Sequence, residues 1–150
     1  MKPEQVAIAR EPRKLHPGIG IDWFAQHPVT ALFESAGETM HPASRLLVNE
    51  SGHIESEAGE HDLHVFQALR TMDEILIGNF MLFQEVVEDG GYDLVIADEA
   101  WEVDHFWHGH PELKRAALAW FTDFVGYMPM PEGCDREAYL TADYIAESRR

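Results

Sequence analysis

Acidic residues follow two short apolar runs, at the positions where strands of a parallel sheet would end. Asp98 and Glu99 come directly after residues 92–97, and Asp123 comes two residues after the end of residues 117–121. Ligands of open parallel sheets bind at the carboxyl ends of the strands, where a carboxylate can orient a histidine, act as a base or bind sugar hydroxyls. The alternative is that Asp98 or Asp123 caps the following helix or turn.

Aromatic and apolar residues lie close to both strand ends in the sequence. Trp101, Phe106 and Trp107 follow the first strand end, where they either line an apolar pocket or fix a helix to the sheet. The stiff segment at residues 128–131 follows Asp123, and it is either a pocket wall or an ordinary connection.

Histidines form the other candidate site. Residues 105–110 contain His105, His108 and His110 beside Asp104, which are metal-ligand types at short spacing. A second such group would share one helical face: Glu57, Glu60, His61 and His64. The chain has no His-Glu-x-x-His motif and a single cysteine, and histidines flanked by aromatic residues commonly pack at a surface. We therefore expect no metal, and keep a metal-binding or non-catalytic α/β binding module as the alternative function.

Periodicity predicts the elements that position these residues. The predicted helices are residues 4–14, 29–36 with Gly37 as the C-terminal cap, 60–88 and 135–148. The predicted strands are residues 19–24, 45–48, 92–97 and 117–121, and residues 49–59 are a loop.

The long helix and the apolar strands define the predicted fold class. Apolar residues recur every three or four positions from Leu63 to Val87, which indicates one buried helical face ending at Asp89-Gly90-Gly91. The runs at 92–97 and 117–121 are typical of parallel strands buried on both faces. Strands that alternate with helices predict an α/β fold, with a parallel sheet covered by helices on both faces.

Composition limits the possible partners. The 150 residues suit one domain, and the net charge of −16 disfavours nucleic acid and anionic lipid. No apolar run is long enough to span a bilayer, and the single Cys134 fits a reducing compartment, so we expect a cytoplasmic protein. No phosphate-binding glycine loop is present, because Gly18 and Gly20 precede a predicted strand, and we expect no cofactor.

Several segments, in this order and spacing, resemble the N-terminal half of a bacterial GT-B type glycosyltransferase of the UDP-glycosyltransferase and macrolide-transferase branch. The resemblance covers almost the whole chain. The segments are Val6-Ala7-Ile8-Ala9-Arg10, His16-Pro17-Gly18, Ile21-Asp22-Trp23-Phe24-Ala25-Gln26-His27-Pro28, Tyr92-Asp93-Leu94-Val95-Ile96-Ala97-Asp98-Glu99, Trp120-Phe121-Thr122-Asp123-Phe124-Val125-Gly126-Tyr127-Met128-Pro129-Met130-Pro131 and Thr141-Ala142-Asp143-Tyr144.

The resemblance implies two Rossmann-like domains facing a cleft, with the N-terminal domain holding a small-molecule or glycan acceptor. In inverting members a histidine deprotonates the acceptor hydroxyl, and an aspartate ending an Asp-x-x-x-x-Asp pattern orients that histidine. Here Asp93 and Asp98 match the pattern, so the resemblance assigns the orienting role to Asp98. Glu99, Trp101 and Asp123 are expected to line the acceptor cleft.

The resemblance also implies what a complete enzyme would add. The family's first strand and Gly-x-Gly-His loop would precede Val6, and none of the nine histidines falls at the catalytic position. The nucleotide sugar would bind a C-terminal domain. We therefore expect residues 1–150 to be one partial acceptor-side domain, a fragment that transfers no sugar alone.

Overall fold

The computed structural model describes residues 8–49, 64–122, 128 and 131–148. Its helices are α1 (Arg10–Leu15), α2 (Val29–Ser35), α3 (Val65–Gly90), α4 (Trp101–Gly109) and α5 (Cys134–Ser148), and its strands are β1 (Leu94–Asp98) and β2 (Ala117–Phe121). Short 3₁₀ helices occupy Pro42–Leu46, Pro111–Leu113 and Pro131–Gly133. The chain is thus a mixed α/β protein, as its sequence predicts. None of the described helices is long and apolar enough to cross a membrane.

The two strands form a parallel pair. Leu94 lies opposite Ala117 and Asp98 lies opposite Phe121, so both carboxyl ends meet at one edge. The connection from β1 to β2 contains α4, as a parallel pairing requires. The predicted parallel strands are therefore confirmed, and β2 has the predicted bounds.

The two faces of this sheet have different surroundings. Val95, Ala97 and Leu118 face the hydrophobic core, where Ala97 is buried. Leu94 and Ile96 alternate with them on the other face and remain exposed. The prediction that residues 92–97 and 117–121 are strands buried on both faces is therefore wrong, since Ala117 and Phe121 of β2 are exposed as well. Successive side chains point to opposite sides, and only one side meets α3 and α4.

Helix α3 supplies most of the core. Its buried apolar side chains meet residues of α4, and together they form one cluster: Phe80, Phe83, Val87, Val103 and Trp107. Gly91 follows α3 in the left-handed conformation at φ 59° and caps its C-terminal end, within the segment Asp89-Gly90-Gly91 that was predicted to end the helix. Phe66 and Leu69, which the periodicity predicts to be buried, are exposed at the beginning of the helix. Residues 60–63 of the predicted helix lie outside the described part.

The first 49 residues depart most from the predicted elements. No strand forms at residues 19–24, where Trp23 makes one isolated bridge to Met40, and residues 45–48 partly continue the 3₁₀ helix Pro42–Leu46. Both strand predictions are wrong. The Asn79 side chain of α3 accepts a hydrogen bond from Val48 N and donates one to Val48 O, so a side chain satisfies backbone groups that a strand would pair.

Two predicted helices in this region are observed. α1 covers the later part of residues 4–14, of which 4–7 lie outside the described residues. α2 ends before Gly37, whose φ of 77° identifies the predicted cap. Most of the predicted loop at 49–59 lies outside the described residues. At the other end of the chain, α5 matches the predicted helix 135–148 to within one residue.

Candidate functional site at the carboxyl end of the sheet

A tight turn joins β1 to α4 and carries three of the four predicted site residues. Asp98 ends β1 with an exposed side chain, on the sheet face that Leu94 and Ile96 share. Glu99 has a φ of 54°, and its backbone N donates to Phe121 O at 3.0 Å. The N–H of Trp101 then donates to Glu99 O at 3.0 Å. These bonds hold the turn against the end of β2.

The backbone of Glu99 lies in a region that non-glycine residues rarely adopt. A side chain there costs of order 1 kcal/mol, and such residues cluster at functional sites. This conformation lets the chain turn directly after Asp98, and α4 begins two residues after Glu99. Asp98, Glu99 and Trp101 are thereby kept together at one end of the sheet.

Trp101 makes an aromatic contact with β2. It is the first residue of α4 and 40% of its surface is exposed. Its ring meets the ring of Trp120 edge to face, with centroids 4.8 Å apart and an interplanar angle of 75°. Trp120 pairs with Ala97 in the sheet and therefore lies on the core side.

Trp120 is not among the site residues that the sequence predicts, although it belongs to the predicted strand 117–121 and to a segment that carries the family resemblance. Its position in the sequence could have identified it. Trp120 is one residue before the end of β2, and the alternation of side chains along a strand places it on the same face as Leu118. Its indole N–H is buried and has no hydrogen-bond partner in the part of the chain that the structure describes.

The other aromatic residues of α4 hold that helix to the core. Trp107 is buried, and its Nε1 donates to Gln84 Oε1 of α3 at 2.8 Å. Gln84 in turn donates to Leu113 O at 2.8 Å, and the Phe106 ring stacks on Phe80 at 4.4 Å. Phe106 and Trp107 are therefore anchors, whereas Trp101 is the aromatic residue of α4 at the strand end.

Asp123 lies outside the described residues, as do residues 129 and 130. Thr122, the residue before Asp123, is described and partly buried, and Met128 is exposed. The structure therefore brings Asp98, Glu99 and Trp101 to one edge and leaves the prediction for Asp123 untested.

The histidine segment is divided between separate contacts. His105 packs edge-on against Phe106, and His110 Nδ1 lies 3.3 Å from Glu112 Oε1. Within the described residues, no three His, Cys, Asp or Glu side chains come together as a potential metal site. Of the other histidine group, Glu57, Glu60 and His61 lie outside the described part, and His64 precedes α3.

A tyrosine with a shifted pKa, Tyr92, precedes β1 and lies toward the amino end of the sheet. The Tyr92 hydroxyl donates to Asp22 Oδ2 at 2.8 Å, and burial together with this bond raises the pKa of Tyr92 to about 12. Tyr92 also lines an open cavity of about 500 Å³ at the amino end of the sheet. Arg115 in that cavity is engaged by Glu88 at 3.1 Å and by Glu112 O.

Comparisons of the chain with protein-family models, with curated proteins and with solved structures found no match.

Proposed function

We propose that this chain forms the acceptor-side part of a glycosyltransferase of the GT-B type, the N-terminal Rossmann-like half that holds a hydroxyl-bearing acceptor. The observation that carries the proposal is the turn at the end of β1, where Asp98 is followed by a left-handed Glu99 and by Trp101 at the start of α4. Carboxylates and an exposed aromatic ring thus share the edge where ligands of parallel sheets bind. The resemblance of the chain to this family supports the same proposal.

The proposed reaction is a direct displacement at the anomeric carbon of a nucleotide sugar. A base takes the proton of the acceptor hydroxyl as its oxygen forms the new glycosidic bond, and the bond from the sugar to the nucleoside diphosphate breaks. Asp98 orients the base, for which the family uses a histidine that has no counterpart among the nine here. Glu99, Trp101 and Asp123 line the acceptor side of the cleft.

The base and the donor site are not supplied by these 150 residues in this proposal, so the chain binds an acceptor without turning it over. Purified chain incubated with UDP-glucose and a panel of phenols and sugars should release no UDP above a blank. UDP release by the chain alone would contradict the proposal that the base and the donor site lie outside these residues.

The role of Asp98 is tested in the full reading frame that contains residues 1–150. An upstream Gly-x-Gly-His segment and a downstream donor domain in that frame would support the proposal, and a frame without them would contradict it. In such a protein, Asp98→Asn should reduce UDP release by about 10²–10⁴-fold because the base loses its charged partner. Asp93→Asn, at the opposite end of the sheet, is the matched control and should leave the rate within about threefold.

A further inference from the structure

One face of the two-stranded sheet remains in contact with solvent. Its large apolar side chains, Leu94, Ile96 and Phe121, are each exposed over roughly half of their surface. The register places Ala117 beside Leu94 and Ala119 beside Ile96, so small side chains of β2 border the larger ones of β1. These five residues form the open sheet face. Parallel strands are ordinarily covered on both faces, so this surface is suited to a further apolar element.

Helix α5 exposes its largest apolar side chains on one side. Tyr139, Leu140 and Tyr144 keep half or more of their surface in solvent, and Asp143 beside them is exposed as well. Ile145, on the opposite side of the helix, is partly covered. Because residues three and four positions apart are neighbours on a helix, Tyr139, Leu140, Asp143 and Tyr144 form one patch, the α5 face.

The open sheet face and the α5 face match in spacing. Side chains on one side of a strand recur about every 6.6 Å, and residues four positions apart on a helix recur about every 6 Å. A helix lying antiparallel to the strands therefore places Leu140 over Ile96 and Tyr144 over Leu94. The small side chains of β2 leave room beside them for the tyrosine ring.

Charge favours this antiparallel direction. Lys114 precedes β2 at the amino end of the sheet, is exposed and makes no ion pair with another described residue. The antiparallel direction carries Asp143 of the α5 face toward Lys114, and the reverse direction carries it away. The two opposite charges therefore complement each other in only one of the two orientations.

A second copy of the chain can cover the open sheet face. In the structure the chain's own α5 leaves this face exposed, so each molecule presents both surfaces. A twofold axis lets two copies cover each other, since an isologous contact repeats every interaction twice. A strand of five residues is about 17 Å long and a helix is about 10 Å wide, so the paired surfaces bury on the order of 1,000 Å². This area is at the lower limit for a specific interface, and the net charge of −16 on each copy opposes association.

We infer that the chain forms a weak homodimer in which the α5 face of each copy covers the open sheet face of the other. The inference concerns assembly rather than the proposed reaction, so either one can fail without the other.

The oligomeric state of the full chain is the first test. Sedimentation equilibrium from about 1 to 500 µM should show a reversible monomer–dimer equilibrium with a dissociation constant of about 10–100 µM. A monomer at every concentration would overturn the inference.

A matched pair of leucines locates the interface. Leu140→Ser should weaken the dimer at least about tenfold, because the change is repeated at both contacts. Leu32→Ser, on α2, is the control and should leave the dissociation constant within about twofold, since Leu32 has almost the same exposure, 49% against 52%. A dimer that Leu140→Ser leaves intact would use another surface and would overturn the assignment.

A charge exchange tests the orientation. Asp143→Lys alone or Lys114→Asp alone should weaken the dimer about three- to tenfold, and the double variant should return the dissociation constant to within about threefold of the original. Both positions are exposed, so the fold tolerates the changes. A double variant as weak as the two changes combined would overturn the pairing.

Isotope-filtered NMR distinguishes a second copy from the chain's own helix. In a mixture of labelled and unlabelled chain, nuclear Overhauser effects should connect the Leu140 methyl groups of one copy with the Ile96 methyl groups of the other. Effects confined to a single copy would show that α5 covers its own sheet, and would overturn the inference.

Discussion

Two regions of this molecule are held together by different kinds of interaction. The N-terminal region, residues 8–49, combines the stacked rings of Trp23 and Phe33 with a polar cluster. In that cluster, Arg13 binds Glu38 through two nitrogens at 2.7 and 2.6 Å, and Trp23 Nε1 donates to the same carboxylate at 2.7 Å. The α/β unit, formed by α3, β1, α4 and β2, depends on an apolar core that includes Phe83 and Trp107. The proposed acceptor edge belongs to the α/β unit.

The difference shows what each kind of interaction can do. Apolar burial is non-directional and holds the long helix α3 against α4. The carboxylates and the exposed tryptophan at the strand ends lie outside this core. The polar contacts of the N-terminal region are directional and fix short segments with little regular structure. Asn79 and Tyr92 join the two regions through hydrogen bonds to Val48 and Asp22.

The largest expected effect comes from opening the core of the α/β unit. Phe83→Ala removes a buried ring that packs on Trp107 at 5.1 Å, and should lower the free energy of unfolding by about 3–5 kcal/mol. Phe66→Ala, on the same helix but with 90% of its surface exposed, should change it by less than about 0.5 kcal/mol. Urea unfolding measures both. Similar losses in the two variants would contradict the described burial.

This pair of residues also shows how far the sequence predicts the fold. The period of three to four correctly predicts α3 and its buried residues from Phe80 onward, because a continuous apolar face decides that packing. It fails at Phe66, where no described element covers the face. The parallel pair and the place of Asp98 at the end of β1 are predictable because strand ends follow from apolar runs.

Other features depend on contacts distant in sequence. The left-handed Glu99 has no propensity signal, and the contact of Trp120 with Trp101 requires the sheet register to be known. Residues 45–48 resemble a strand, but a side chain 31 positions away takes their hydrogen bonds. Patterns that report local periodicity carry no information on such partners.

Replacing Asn79 should weaken the contact between the N-terminal region and α3. Asn79→Ala leaves Val48 N and O without the buried amide that pairs with them, at a cost of about 1–3 kcal/mol in unfolding free energy. Amide hydrogen exchange at Val48 should accelerate. The exposed Gln67→Ala serves as the control, and an unchanged exchange rate at Val48 would contradict the account of the junction.

Alanine substitutions at two glycines of α3, Gly90 and Gly78, should change the stability of the fold in opposite directions. A Cβ at Gly90 would collide with the Tyr92 ring, so Gly90→Ala should displace that ring, disrupt its bond to Asp22 and cost about 1–3 kcal/mol. Gly78 lies within the same helix with open space around it, and Gly78→Ala should stabilise by about 0.5–1 kcal/mol. Thermal unfolding measures the pair. If both variants shifted in the same direction, the described geometry at Gly90 would be wrong.

The smallest effect concerns pH and the N-terminal region. The hydrogen bonds from Arg13 hold the pKa of Glu38 below its ordinary value, and the bond from Trp23 acts in the same direction. Because the pKa of Glu38 is lowered in the folded state, its ionised carboxylate stabilises the fold at pH values above the ordinary carboxyl pKa. This stabilisation is lost as the pH falls through the pKa of the folded state. Arg13 is partly exposed, so we expect Glu38→Gln to cost only about 1 kcal/mol at pH 7.

The matching measurement is the thermal midpoint at pH 7 and pH 3. The unaltered chain should lose more stability between these values than Glu38→Gln does, because only the carboxylate can be protonated. Glu34→Gln, at an exposed position of α2, controls for the general effect of removing a carboxylate. If the thermal midpoints of the unaltered chain and of Glu38→Gln differed by the same amount at pH 7 and pH 3, the described ion pair would be contradicted.

The central claim, that the carboxyl edge of the sheet is an acceptor site, is tested most directly by amide chemical shifts. Isotope-labelled chain is titrated separately with 4-hydroxybenzyl alcohol and with UDP-glucose. The account predicts shifts at Asp98, Glu99, Trp101 and Trp120 with the phenol, and none there with UDP-glucose. Shifts at these residues with UDP-glucose alone, or shifts with the phenol confined to other parts of the chain, would contradict it.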